Sequence, residues 1–186
     1  MKSLTTRYLM ACAAIGAATG ILLIPAFFVS FAIAATVPLA YAAMAGVWFL
    51  GPVVALAVLR RPGAAVLTML LAGIINVATP AGPGAVLTNL MVGAALELGF
   101  LVTLYRVWRP WLFFVTGALF QVYYAISAYT YFNIDDMTTV AQATFFVLLF
   151  ASTTAFIQIG LVIAKRLIAA GVGRGVAPVP AARPTV

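Results

Sequence analysis

The sequence predicts an all-α integral membrane protein, built as a bundle of six transmembrane helices with both termini in the cytoplasm. Of its 186 residues 66% are hydrophobic and only 7% are charged, and the mean hydropathy is +1.19. A soluble domain of this size cannot bury so much apolar surface. The apolar residues also fall into six runs separated by short turns, at about residues 8–29, 39–59, 63–78, 85–105, 111–132 and 138–164. One domain over residues 1–170 follows, with a disordered cytoplasmic tail at 171–186.

The positions of the charged residues predict the orientation of these helices. All ten basic residues fall at the amino terminus, in the even-numbered turns or in the tail: Lys2, Arg7, Arg60, Arg61, Arg106, Arg109, Lys165, Arg166, Arg174 and Arg183. Basic residues concentrate on the cytoplasmic side of membrane proteins, which places Asp135 and Asp136 outside. Because these charges flank apolar spans instead of forming a stripe, the net charge of +7 does not indicate a nucleic-acid partner.

The first apolar run follows Lys2 and Arg7 and is longer than the 7–15 residues of a signal-peptide core. We therefore expect a retained helix. Small residues occur on several of its faces, and such residues let helix backbones approach closely in lipid. Ala13, Ala14, Ala17 and Ala18 belong to this set. They predict either packing within the bundle or a docking surface for another membrane subunit.

The second and third runs carry aromatic and amide side chains that could line a binding site. Tyr41, Ala45 and Trp48 have the spacing of one helical face. Tyr41 suits the membrane interface, whereas Trp48 lies deeper and is either an aromatic wall for a flat ligand or part of the core. The third run follows the turn at residues 60–63 and holds Asn76 near its far end.

The fourth run contains the most unusual residue of the chain, the carboxylate Glu97. Asn89, Gly93 and Glu97 recur every four residues, so they share a face on which Gly93 would leave room beside the carboxylate. A carboxylate at the centre of a span costs roughly 2.5–3.5 kcal/mol, and it marks a functional site by default. Arg106 is about 13.5 Å further along an ideal helix. Glu97 is therefore either protonated and hydrogen-bonded, or it faces a wet cavity that accepts a cation.

The last two runs are polar for membrane helices, with Gln121 and Tyr124 in the fifth and Gln142 in the sixth. Taken together, the polar residues predict a pocket open to the exterior for a small polar or cationic ligand, with Glu97 at its floor. Taken singly, each could be an interhelical bond worth about 0.6 kcal/mol. The predicted substrate-binding residues are Glu97, Trp48, Tyr41, Asn76, Asn89, Gln121, Tyr124 and Gln142.

Catalytic chemistry is not predicted. The sequence has no Gly-x-x-x-x-Gly-Lys-Ser/Thr motif, no histidine, one cysteine and three acidic residues. These counts exclude a phosphate-binding loop and the usual metal-ligand and nucleophile–base sets, so we expect no enzyme, no cofactor and no metal site.

Residues 38–108 resemble a known family, the substrate-binding S components of energy-coupling factor (ECF) transporters, and within it the YkoE-like, thiamine-related subgroup. The resemblance rests on Pro38-x-Ala40-Tyr41, Gly46-x-Trp48-Phe49, Arg61-Pro62-Gly63-Ala64-Ala65, Pro80-x-Gly82-Pro83, and Glu97 with Phe100 and Arg106. The chain departs from the subgroup at Asn76, where an acidic residue is expected.

The resemblance implies a six-helix subunit of a bacterial or archaeal plasma membrane that binds a vitamin, thiamine or its hydroxymethylpyrimidine precursor, at the outer face. It also implies a transmembrane coupling subunit and a pair of cytoplasmic ATPases as partners, with the alanines of the first helix at the coupling subunit. Glu97 would then complement the thiazolium or the aminopyrimidine, and Trp48 and Tyr124 would stack on or flank the ring. Hydrogen bonds to the ring edge would come from Asn76, Asn89 and Gln142. The alternatives are a solitary six-helix permease and a structural membrane subunit.

Overall fold

The computed structural model describes residues 5–34, 36–132 and 134–172. Lys2, Arg174, Arg183 and most of the predicted tail lie outside these residues. The described part contains seven α-helices: α1 Thr6–Ala34, α2 Pro38–Met44, α3 Leu50–Leu59, α4 Ala64–Ile75, α5 Gly84–Val102, α6 Pro110–Tyr131 and α7 Thr139–Ala169. Short 3₁₀ segments occupy Ala45–Phe49, Asn76–Ala78 and Ile134–Asp136.

These helices form the six predicted spans, because α2, the Ala45–Phe49 segment and α3 run on as one crossing, Pro38–Leu59. Five crossings in the described residues are long and apolar enough to traverse a membrane. The sixth, Ala64–Ala78, is a shorter apolar helix. The prediction of an all-α bundle with six apolar segments is confirmed.

The helix boundaries differ from the prediction where the backbone leaves helical geometry. Helix α5 ends at Val102, three residues early, because Leu104 and Tyr105 adopt left-handed conformations with φ of 50° and 55°. The second crossing changes to 3₁₀ geometry around Trp48, so the predicted single face of Tyr41, Ala45 and Trp48 is not one continuous α-helical face.

Small residues set the closest helix contacts. Gly16 and Gly20 of α1 lie against the α4 backbone and leave no space for a side chain. Gly93 of α5 lies equally close to Met69 and to the Ala65 carbonyl of α4. The prediction that Gly93 leaves room beside Glu97 is therefore wrong, since α4 already fills that space.

The basic turns meet at one end of the bundle. The Tyr8 hydroxyl at the start of α1 donates to the Pro62 carbonyl at 2.9 Å, and the Arg61 guanidinium lies 5.6 Å from the centre of the Tyr8 ring. Asp135 and Asp136 lie in the short segment between α6 and α7, at the opposite end. We call these the basic end and the acidic end.

Candidate functional site

Glu97 lies near the basic end, where it caps helix α4. Its Oε1 atom accepts from the Gly63 amide at 2.6 Å, and its Oε2 atom accepts from the amides of Ala65 at 2.9 Å and Val66 at 3.4 Å. The first amides of a helix have no partner within the helix, and Gly63 has no side chain to cap them. The carboxylate of α5 supplies the missing acceptors, and the helix dipole favours it there.

Of the two alternatives for Glu97, the wet cavity is wrong, and the structure shows a hydrogen-bonded side chain instead. It is 6% exposed, and besides the three amides it accepts a hydrogen bond from the Tyr105 hydroxyl at 2.7 Å. With its acceptors directed at four donors, the carboxylate is built into the fold. A substrate would have to displace part of this cap to reach it.

Tyr105 is a partner that the sequence analysis missed. On a straight helix it would lie about 12 Å beyond Glu97, because eight residues advance by 1.5 Å each. The left-handed turn at Leu104 and Tyr105 folds the phenol back toward the carboxylate. No local sequence signal marks this turn, since neither residue is a glycine or an asparagine.

Four other predicted site residues already bond within the bundle. The Gln121 amide donates to the Leu149 carbonyl at 3.2 Å and to the Thr153 hydroxyl, which joins α6 to α7. The Gln142 amide donates to the carbonyls of Ile134 and Met137, both at 3.1 Å. The hydroxyls of Tyr41 and Tyr124 lie 2.5 Å apart. Gln121, Tyr41 and Tyr124 match the alternative expectation, in which a polar side chain makes an interhelical bond. The bonds of Gln142 are local, to the segment that precedes its own helix.

The remaining three predicted residues have buried polar atoms without a hydrogen-bond partner. They are Nε1 of Trp48, both Oδ1 and Nδ2 of Asn76, and Oδ1 of Asn89. Asn76 and Asn89 are 0% exposed and Trp48 is 7% exposed. The Asn89 amide nitrogen is satisfied by its own helix, through the Ala85 carbonyl at 2.8 Å. An unmade hydrogen bond to a buried polar group costs about 1–3 kcal/mol, so three such residues need an explanation.

These three residues lie at a similar level along the bundle, toward the acidic end. This level is defined by the close contacts of Gly51 with Thr19, of Gly20 with Ala72 and Ile75, and of Gly73 with Val86 and Asn89. Asn89 is thus level with Gly73, Asn76 follows Gly73 by about one turn, and Trp48 precedes Gly51 by about one turn. The 3₁₀ segment that carries Trp48 also packs against α1 and α5. The indole ring meets Phe27 edge-on, with ring centres 5.3 Å apart.

This layer, which we call the orphan layer, can do specific chemistry. It offers two kinds of donor, an indole and an amide, two amide oxygens as acceptors, and aromatic surface from Trp48 and Phe27. Donors and acceptors of this kind bind the edge of a flat heterocycle, and aromatic rings of this kind cover its face. Ser30 and Thr68 also have buried hydroxyls without a partner, and the sequence analysis missed both.

The alanines predicted as a docking surface lie on the outer side of α1. Ala13, Ala14 and Ala18 are exposed and Ala17 is half-buried, whereas the glycines of the same helix face α4. The glycine side of α1 therefore packs within the bundle, and the alanine side is exposed, as a docking surface would be. Docking by the alanine side stays a prediction.

This chain matches a known protein family and is similar in sequence to a named relative. The family model "ABC-type cobalt transport system, permease component" matches residues 7–123. The "Putative HMP/thiamine permease protein YkoE" of Bacillus subtilis (strain 168) is 30% identical over 73 residues, which are 38% of this chain and 37% of that protein. The chain thus matches a little over a third of the length of that relative.

The fold comparison extends over almost the whole chain. A crystal structure of an S component of an ECF transporter superposes with a TM-score of 0.81 at 20% sequence identity, and the match covers 94% of this chain and 91% of the other. The predicted S-component architecture is confirmed by this match. The chain belongs to the family of ABC-type cobalt transport system permease components, and it has the fold of an ECF S component.

Proposed function

We propose that the chain is the substrate-specificity subunit of an ECF-type importer, and that it binds thiamine or its hydroxymethylpyrimidine precursor in the orphan layer. The observation that supports this is the set of buried, unsatisfied polar atoms on Trp48, Asn76 and Asn89. A bound heterocycle would satisfy these atoms and repay the cost of leaving them unpaired.

The amides suit an aminopyrimidine. Hydroxymethylpyrimidine presents an amino group next to a ring nitrogen, a donor beside an acceptor. Asparagine reads the same arrangement on adenine with a pair of hydrogen bonds. Asn76 has both its amide nitrogen and its amide oxygen free for such a pair, and the Asn89 oxygen and the Trp48 N–H add one acceptor and one donor. The name of the Bacillus relative points to the same class of substrate.

A cobalt substrate, which the family description suggests, suits these residues poorly. Divalent cobalt prefers imidazole and other good nitrogen or oxygen ligands, and the sequence has no histidine and only three acidic residues. No group of three or more histidine, cysteine, aspartate or glutamate side chains that could hold a metal occurs among the described residues. The neutral atoms of the orphan layer favour an organic ligand.

The proposal includes partners and an orientation. An ECF-type importer is driven by ATP hydrolysis, and this sequence has no phosphate-binding loop, so other subunits would supply the ATPases. A coupling subunit would dock on the alanine side of α1, formed by Ala13, Ala14, Ala17 and Ala18, where small residues permit close helix contact. The basic end would face the cytoplasm, which makes the acidic end the entry side and places both termini in the cytoplasm.

Titration of the purified full-length protein in detergent tests the binding site. Thiamine, hydroxymethylpyrimidine and Co²⁺ are compared by calorimetry for the parent and for Asn76→Leu and Asn89→Leu. We expect binding of one of the organic ligands, weakened about tenfold or more by either substitution, because a lost hydrogen bond leaves a ligand group unpaired at about 1–3 kcal/mol.

The matched control is Gln158→Leu, the same kind of change at an exposed position of α7. Equal affinities in all three variants would contradict the site, and binding of Co²⁺ alone would contradict the substrate class. Uptake by vesicles that contain only this chain would favour a solitary permease instead.

A further inference from the structure

The bonds of Glu97 join two basic turns at the basic end. A single carboxylate oxygen, Oε1, accepts from the Gly63 amide at 2.6 Å and from the Tyr105 hydroxyl at 2.7 Å. Gly63 belongs to the turn between α3 and α4, and Tyr105 belongs to the turn between α5 and α6. The two turns are therefore held side by side by one buried acceptor.

The joined turns present positive charge outward. Arg60, Arg106 and Arg109 are exposed, and Arg61 is half-buried over the Tyr8 ring. Glu97 is the acidic residue nearest to these arginines, and its side chain is buried and bonded to four donors. The other two acidic residues of the sequence, Asp135 and Asp136, lie at the opposite end. The charged groups on the surface of the two turns are therefore arginine guanidinium groups.

Aromatic and aliphatic side chains border these arginines. The Trp108 ring lies 5.1 Å from Phe100 and 6.0 Å from Tyr105, and Trp111 is exposed. Tryptophan and tyrosine mark the level of the headgroups in a membrane. Leu101, Val102 and Leu104 are exposed on the last turn of α5 and just after it. An occupant of this surface would meet arginines at one end and apolar side chains at the other.

We propose that the two joined turns form a binding site for the phosphate group of an anionic phospholipid in the leaflet at the basic end. The arginines bind phosphate oxygens, for which their forked geometry is suited. The exposed aliphatic residues of α5 contact the acyl chains. This combination fits a lipid better than an acidic protein segment, because a soluble segment would have no use for the apolar flank at headgroup level.

Retention of lipid by the purified full chain tests the site. Native mass spectrometry compares bound dioleoylphosphatidylglycerol with bound dioleoylphosphatidylcholine. The double variant Arg60→Gln/Arg106→Gln removes one arginine from each turn, and Lys165→Gln/Arg166→Gln removes the same charge from the end of α7. We expect phosphatidylglycerol affinity to fall about fivefold per arginine in the first variant. An equal fall in the α7 variant would overturn the site in favour of a diffuse charge effect.

Two further variants test the joining of the turns. Tyr105→Phe removes one bond to Glu97 and leaves every charge in place, so a specific site loses phosphatidylglycerol affinity and a diffuse field does not. Glu97→Gln makes the chain more positive, and a diffuse field then binds the lipid more tightly. The proposal is overturned if Tyr105→Phe retains phosphatidylglycerol as well as the parent does, or if Glu97→Gln retains it more tightly. An acidic peptide that binds the parent in place of the lipid would also overturn it.

Discussion

At the scale of single residues, the fold treats two buried polar side chains in opposite ways. Glu97 is a buried carboxylate, and it is tolerated because three helix amides and one phenol donate to it. Asn76 is a buried neutral amide whose side chain finds no partner. The fold thus gives hydrogen-bond partners to the carboxylate, which would cost more to bury unpaired, and leaves the amide, which costs less, without a partner. We interpret the first as structural and the second as reserved for a ligand.

Replacing the cap tests the structural role of Glu97. Glu97→Gln places amide hydrogens against backbone donors, so we expect a loss of about 1.5–3 kcal/mol in stability, the usual contribution of a charge-assisted bond. Thermal unfolding in detergent measures it, with the exposed Asp136→Asn as the control. Affinity for the organic ligand stays at the parent value. Unchanged stability combined with lost binding would return Glu97 to the substrate site.

The opposite result is expected at Asn76. Asn76→Leu removes an unsatisfied amide from a fully buried position, so we expect the ligand-free protein to become more stable by about 1–3 kcal/mol. The ligand, which stabilises the parent by mass action, loses that effect in the variant. Melting curves with and without hydroxymethylpyrimidine measure both changes. If the ligand stabilises the variant as much as it stabilises the parent, Asn76 does not bind the ligand.

At the scale of elements, the break in the second crossing positions Trp48. The Ala45–Phe49 segment is held against α7 because the Gly46 amide donates to the Ser152 hydroxyl at 2.9 Å. Gly46 also lies so close to the Ser152 carbonyl that an added Cβ atom would overlap it. Glycine is required here for the close approach of two backbones, and this contact sets the depth of Trp48.

A methyl group at Gly46 should therefore push the segment away from α7. For Gly46→Ala we expect a loss of about 1–3 kcal/mol in stability, typical of overpacking, together with weaker ligand binding. Gly84→Ala is the matched control, since nothing lies within 4 Å of a Cβ atom there. Thermal unfolding of both variants decides the matter, and equal melting temperatures would refute the argument.

The sequence predicts the elements well and their contacts less well, and the reason is physical. Apolar runs and basic turns follow from the membrane itself, so the six spans could be read from the sequence. The environment of Glu97 depends on a left-handed turn at Leu104 and Tyr105, which no glycine announces. Which polar side chains would bond to one another was equally hidden, because partners such as Thr153 for Gln121 come from a different helix.

At the scale of the whole molecule, charge is divided between the two ends of the bundle. The arginines of both turns and the end of α7 occupy the basic end, and Asp135 and Asp136 occupy the other. This polarity suits the proposed function, in which the orphan layer would be reached from outside and the partner ATPases would work inside. The proposed orientation follows from the basic residues.

Labelling of single cysteines tests that orientation. In a Cys12→Ala background, Asp136→Cys should react with a membrane-impermeant maleimide on intact cells, and Arg106→Cys only after permeabilisation. Both positions are exposed, so access to reagent is limited by the membrane alone. Reaction of Arg106→Cys on intact cells would reverse the proposed topology.

A structure determined with hydroxymethylpyrimidine or thiamine bound is the most direct test of the central claim, that the orphan layer is the substrate site. The proposal predicts ligand atoms within hydrogen-bond distance of the Asn76 amide, the Asn89 oxygen and the Trp48 indole N–H, with the cap of Glu97 on α4 intact. A ligand bound against Glu97, or between helices away from these three side chains, would contradict it.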